Sequence, residues 1–342
     1  MPSTMKAWQF TSVQSTLPEA LTLNESAAKP SSSTLAKDQI LVEVITAAIN
    51  PVEYKLPETP VLGKLMVHSP TTPGLDFCGR VVAKHPSNDT VSEGQLVFGG
   101  LDIGTKIPKF GTLAQITVAS SLGCAPLPEG LNYDDAAAIG TAAMTALQSL
   151  PPELVKPGAK VFINGGSGGV GTYTVQFARA LGAEVTTSSS TANLELCRSL
   201  GATDVMDYKK SNILAELEKR GQIFDVVVDN VGGDNGLYQH SPKFLNQAGL
   251  FVQVGVQESI WSSVYRVLTP GWLAGGKRQY RMVRLKNRRE DYERIGQWIV
   301  EGKVKPVIDD RFDFRDVPKA YEKLRLGRAR GKIVVRIGQD SN

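Results

Sequence analysis

Two textures divide the chain. Up to about residue 125, apolar and polar positions alternate over short runs: Asp38–Asn50 (DQILVEVITAAIN), Gly79–His85 (GRVVAKH), Gly94–Gly100 (GQLVFGG) and Gly111–Ala119 (GTLAQITVA). β-Branched runs of this period, punctuated by Gly, Pro and Asn, predict short strands in a compact β domain. From about Tyr133 the pattern changes. Asp134–Leu150 is Ala-rich with acids at its start, which predicts one or two helices entered from that end.

Strand and helix patterns then alternate. Strands are expected at 160–165, 183–189, 204–208, 224–231 and 250–256, and helices at 171–181, 191–200, 213–219 and 241–247. Strands that are apolar throughout and separated by helices predict a parallel sheet covered on both faces, a doubly wound α/β domain. Gln279–Leu285 is expected as its last strand, followed by a helix at 290–303. The tail mixes strand, helix and strand and is expected to return to the first domain. The predicted organisation is therefore 1–126 with 287–342, and 127–286.

Between the first strand and helix of the α/β part lies INGGSGGVGTYTVQ, with five glycines in residues 165–171. Gly166-Ser167-Gly168-Gly169-Val170-Gly171 satisfies G-x-G-x-x-G in the strand–turn–helix setting that gives the motif its meaning. A tight turn, close approach of a pyrophosphate and close helix–strand packing each need a missing side chain. The helix N-terminus adds free N–H groups and a positive dipole end. A dinucleotide is the expected cofactor. An acid about 20 residues on would bind the 2′-hydroxyl of NAD, but here the chain reads Thr187-Ser188-Ser189-Ser190-Thr191. Hydroxyls accept a 2′-phosphate that a carboxylate would repel, and Tyr208 with Lys209 or Lys210 stands nearby. NADPH is expected over NADH.

Composition narrows the classes. Hydrophobic residues make up 42% and charged ones 21%, with net charge +4, which argues against a dedicated nucleic-acid binder. Three scattered cysteines and three histidines offer neither a disulfide framework nor ligand spacing for structural zinc. No apolar run is long enough to span a membrane. MPSTMKAWQFTSVQ lacks a signal-peptide h-region, so the cytoplasm is the expected compartment.

Further blocks carry a resemblance. AAINPVEYK (47–55), TTPGLDFCGRVV (71–82), LPEGLNYDDAAAIGTAAMTALQSL, the glycine loop, SLGATDVMDY, FDVVVDNVGG and GRARGKIVVR together resemble the medium-chain dehydrogenase/reductase superfamily. The resemblance is to its zinc-independent quinone-oxidoreductase and enoyl-reductase branch, including fungal trans-acting enoyl reductases. It implies a GroES-like β-rich catalytic domain beside a Rossmann domain, with substrate between them. Zinc members carry a cysteine near Asn50 and a Gly-His-Glu motif. This chain has Gly74-Leu75-Asp76, so no catalytic metal is expected.

The implied reaction is hydride transfer from NADPH to the activated C=C of an α,β-unsaturated carbonyl, with quinone reduction as the alternative. A cofactor-binding sensor or structural protein is the non-enzyme reading. The implied proton donor is Lys55 or Tyr54, with Asn50 ordering nicotinamide ribose or substrate. Thr145 matches a threonine near the nicotinamide. Asn230 and Val231 are implied beside the adenosine or ribose, Val254, Gly255 and Val256 beside the carboxamide, and Ala192-Asn193 near the 2′-phosphate. The basic run Lys277–Arg289 is read as a charged sheet edge, which leans towards a monomer over a homodimer. Trp261, Tyr265 and Trp272 are read as an aromatic wall for an apolar substrate or as packing between domains.

Overall fold

The computed structural model describes residues 4–232, 236–255 and 277–338. The chain packs as two compact units, one up to Met144 together with Lys286 onward, the other Thr145–Leu285.

The first unit is built on a mostly antiparallel sheet. Its strands are β3 (Gln39–Ile49), β4 (Asp76–Lys84), β5 (Leu96–Gly100), β6 (Ile116–Ser120), β7 (Cys124–Pro126), β14 (Ile308–Asp313) and β15 (Lys332–Arg336). A two-stranded ribbon, β1 (Thr4–Gln9) and β2 (Thr22–Ala28), is tied to residues 113–115 through an antiparallel bridge from Ala7 to Ala114. β3 is the organiser. It pairs with β4, with β6 along its first half and with β15 along its second. The tail thus returns to this sheet, carrying a helix at Val317–Arg325. Ile40, Val42, Phe77, Val97, Ile333 and Val335 fill the core. Each large apolar side chain so buried contributes about 1.5–3 kcal/mol.

Among the described residues the second unit holds a six-stranded parallel sheet in the order β10-β9-β8-β11-β12-β13. The strands are β8 (Lys160–Asn164), β9 (Glu184–Ser189), β10 (Asp204–Asp207), β11 (Phe224–Asp229), β12 (Leu245–Gln253) and β13 (Gln279–Met282). This is the doubly wound order, with its reversal between β8 and β11, where such sheets bind ligands. β13 is an edge strand, as the basic run implied.

Two expectations need correction. No helix covers 241–247: the helix is Leu237–His240, a 3₁₀ turn follows, and β12 already begins at Leu245. Phe244 and Leu245 are fully buried beside Phe224 and Phe251, so burial against the sheet overrides the helical spacing. The glycine-loop helix also starts earlier, at Gly169.

The Ala-rich run forms one helical stretch, Tyr133–Gln148, broken at Gly140 (φ 4°, ψ −127°). Up to Met144 it belongs to the first unit. Asp134 near its start accepts from Arg311 (2.9 Å) and Arg336 (2.7 Å). At the break, Thr141 donates to Asp76 from both its N–H (2.7 Å) and its hydroxyl (2.6 Å). A Cβ on Gly140 would lie 2.1 Å from the Asp76 carboxyl carbon, so the bare backbone is what lets that carboxylate in.

Candidate functional site

In the second unit the glycine loop leaves β8 and is held from beneath. Gly165 N–H donates to Ser188 Oγ (3.0 Å) and Gly166 N–H to the Ser188 carbonyl (3.0 Å). Ser188 Oγ donates to Asn164 Oδ1 (2.6 Å), and Asn164 Nδ2 donates to Asp229 Oδ1 (2.9 Å). The N–H groups of Val231 and Gly232 and Gln253 Nε2 complete the Asp229 carboxylate. One buried chain of polar groups thus joins the carboxyl ends of β8, β9, β11 and β12.

Three glycines serve this packing. Gly165 has φ +82°; a Cβ on Gly166 would meet Thr187 Oγ1 at 2.1 Å, and one on Gly171 the Gly165 carbonyl at 2.0 Å. Gly168 differs. Among the described residues only the Gly165 oxygen, at 4.0 Å, comes near the place of its Cβ. It caps a twelve-residue helix without a side-chain hydrogen bond.

Around this bare rim lie polar groups that atoms of the described residues leave unanswered. Asn193 Nδ2 donates to Ser167 Oγ (3.1 Å), while its Oδ1 is buried without a partner. Both polar side-chain atoms of Asn230 are likewise buried and without a partner among the described residues. Buried amides without partners are rare and costly. Free helix N–H groups, an unfilled glycine rim and orphaned amides fit a dinucleotide.

The sequence-predicted cofactor residues therefore separate. Gly166, Ser167, Gly168, Gly169, Val170, Asn193, Asn230 and Val231 come together. Val254 and Gly255 N–H groups donate to the Asp229 carbonyl, beside them. Ser188 and Ser189 do not present hydroxyls for a phosphate. Each is 1% exposed, and the Ser188 hydroxyl is committed to Asn164 and Gly165. Ser190 is half-buried and Tyr208 exposed at the end of β10, with Lys209 over its ring (5.3 Å). Thr145 is buried. Val256, Trp261, Tyr265 and Trp272 lie outside the described residues.

The first unit holds a second polar cluster, at the end of β3. Asn50 Nδ2 donates to Glu53 Oε1 (3.0 Å) and Asp76 Oδ2 (2.9 Å). Lys332 Nζ donates to Asn50 Oδ1 (2.5 Å), Asp76 Oδ2 (2.9 Å) and the Ile49 carbonyl (3.2 Å). Tyr321 OH and Leu75 N–H donate to Glu53. All of these side chains are at least 95% buried. Burial pushes the Glu53 carboxyl up to about 7, with Asp76 adding to the rise and the Tyr321 hydrogen bond opposing it. Burial, and the neighbouring Glu53, push the Tyr321 phenol well above its ordinary value.

This cluster revises the expectation for Asn50. Both amide hydrogens and the oxygen are spent inside the protein, so it braces the site instead of facing a ligand. Glu53, Asp76, Tyr321 and Lys332 were not anticipated. The cluster also answers whether zinc fits. Leu75 cannot ligate, and the ammonium of Lys332 already neutralises Asp76. Among the described residues no group of three His, Cys, Asp or Glu side chains could hold a metal. These residues do not fit zinc.

Directly after Asn50 comes the short helix Val52–Lys55. Tyr54 is half-buried beneath Arg325, whose guanidinium lies 5.0 Å from the ring centre and pairs with Glu58. Burial raises its phenol pKa. Lys55 is exposed on the same turn, and the part of it that is covered lowers its pKa.

Known proteins match this chain. The alcohol dehydrogenase GroES-like domain family matches residues 36–129, and the zinc-binding dehydrogenase family matches residues 200–335. A trans-enoyl reductase of Aspergillus terreus is 46% identical over 99% of this chain and 98% of its own. A 2-methylene-furan-3-one reductase of Solanum lycopersicum is 34% identical over 98% of this chain and 80% of its own. The solved quinone oxidoreductase of Coxiella burnetii superposes with a TM-score of 0.84 at 29% identity, covering 98% and 99% of the two chains. Among the described residues no helix is long and apolar enough to cross a membrane.

Proposed function

The chain belongs to the medium-chain dehydrogenase/reductase superfamily and is a nicotinamide-dependent oxidoreductase; within that frame we propose that it reduces the activated C=C of α,β-unsaturated carbonyl compounds with NADPH and without zinc. The observation that carries the reading is the Lys332 ammonium among Asn50, Asp76 and Leu75, where zinc relatives keep metal ligands. Alcohol oxidation in those relatives needs a Lewis acid. Conjugate reduction needs a hydride source, a group to steady enolate charge, and a proton.

Bound dinucleotide supplies the hydride. The glycine rim and helix N-terminus hold its phosphates, and Asn193 and Asn230 spend their open valences on it. Ser190, Tyr208 and Lys209 take the 2′-phosphate. The nearby Asp207 carboxylate is already occupied by Thr191 Oγ1 (2.7 Å) and Lys209 N–H (2.9 Å). On the substrate side Lys55, its pKa lowered, steadies the enolate oxygen and yields the proton, with Tyr54 as the alternative donor. The division into a catalytic unit and a cofactor unit follows from these assignments.

The test is NADPH oxidation against a panel of enones, enoyl thioesters and quinones. Turnover of the first two is expected. Loss of the donor lowers kcat about 10²–10⁴-fold, so Lys55→Met and Tyr54→Phe identify it. Tight NADPH binding with no turnover, or faster turnover with NADH, defeats the reading. Turnover of quinones alone selects the second reading, which the Coxiella likeness favours.

A further inference from the structure

Lysine is almost never fully buried unless paired, yet Lys332 is 3% exposed with all three ammonium protons committed. Its partners come from the other end of the chain, across more than 250 residues. Replacing such an ionic set by apolar side chains of equal volume is often neutral or stabilising, so stability alone does not account for it.

What the set does is geometric. Lys332 fixes the Asn50 amide by its oxygen, and Asp76 and Glu53 fix it by its nitrogen. The Asn50 carbonyl accepts the Glu53 N–H (3.1 Å), and the Pro51 carbonyl accepts the Lys55 N–H (3.0 Å). The turn carrying Tyr54 and Lys55 is thereby locked at its root, from beneath, by side chains buried inside the protein. Asp76 is held in turn by Thr141 at the helix break. We infer that Lys332 is a positioning residue, which aims the Val52–Lys55 turn by clamping Asn50 between Asp76 and Glu53. The inference rests on the proposal that this turn carries the proton donor.

The test is the charge-balanced double variant Lys332→Met/Asp76→Asn, compared with Lys332→Arg and wild type. We measure melting temperature, NADPH affinity by fluorescence titration, and kcat and KM for an enone. The double variant is expected to melt within a few degrees of wild type and to bind NADPH equally well. Its kcat per NADPH-binding site should fall at least tenfold, with KM changed less than threefold. Lys332→Arg, which keeps the charge, should recover part of the kcat. A kcat within twofold of wild type overturns the inference.

If the double variant does not fold, Asn50→Ser keeps both carboxylates and the ammonium but breaks the bridge. It carries the same expectation and is overturned by the same outcome. The parallel variants Lys55→Met and Tyr54→Phe keep the two ideas apart. If both leave kcat unchanged, the donor proposal fails; if one lowers it and Lys332→Met/Asp76→Asn does not, the positioning role fails.

Discussion

Two buried carboxylates, Asp76 and Asp229, are 0% and 2% exposed, and the protein satisfies them in opposite ways. Asp76 faces an ammonium, an amide and a threonine. Among the described residues Asp229 meets no cation as a hydrogen-bond partner: two backbone N–H groups and the amides of Asn164 and Gln253 answer it. Dipoles suffice where the carboxylate's task is to tie four strand ends together beneath a loop. Formal charge is used at the root of the turn proposed to carry the proton donor. The difference is one of dependence. A charge balanced by one partner fails when that partner goes, whereas a charge shared among dipoles degrades by parts.

Lys332→Met breaks the first arrangement most severely. It strands Asp76 in the interior, and removing one partner of a buried pair costs about 3–5 kcal/mol. Chemical denaturation should read that loss. Restoring most of it with Asp76→Asn would sharpen the comparison, and a loss below about 1 kcal/mol would contradict the pairing as drawn. Gly140→Ala attacks the same carboxylate from the other side, since the new methyl overlaps it.

Asp229→Asn should cost less, about 1–3 kcal/mol. The amide keeps an acceptor for Val231 and Gly232 but turns a donor towards Gln253. Calorimetry of both single variants orders the two networks directly. A larger loss for Asp229→Asn than for Lys332→Met would reverse the argument.

Glu53 makes the contrast pH-dependent. Its folded pKa of about 7 lies above its ordinary 4.5. The stability it contributes is thus complete below about 4.5 and is lost as pH rises through about 7. The slope over that window approaches 1.4 kcal/mol per pH unit for one proton. Unfolding titrations from pH 5 to 7 should show the slope in wild type and not in Glu53→Gln. Equal slopes would remove Glu53 from the account. Stability would then follow other groups.

Much of this was legible along the chain because it is local. The parallel sheet follows from apolar runs at 160–165 and 224–231, the dinucleotide loop from its glycines, and the misfit for zinc from Leu75. What stayed hidden depends on the third dimension. Nothing near Lys332 in sequence announces that β15 will pair with β3 and deliver its side chain to Asn50. The serine run looked like a row of available hydroxyls, but Ser188 and Ser189 end a central strand covered on both faces. The Ala-rich run was legible as one or two helices, while the contact at its break, Gly140 against Asp76, is long-range.

The smallest structural effect separates folding from binding. Gly168 has φ −80° and ψ 178°, extended backbone that any residue adopts. Its Cβ position meets nothing closer than 4.0 Å. Gly168→Ala should therefore melt as wild type does, or slightly higher, because alanine narrows the unfolded ensemble by about 0.4–1 kcal/mol. If the open rim is where the pyrophosphate approaches the backbone, the same methyl stands in its path. NADPH affinity should then fall at least tenfold, measured by fluorescence titration. Gly166→Ala, in contrast, drives a methyl into Thr187 and should lose stability and binding together. An alanine at 168 that binds NADPH normally would mean that this rim faces solvent and that the phosphates rest elsewhere. A glycine that folding does not need would then be left without a reason.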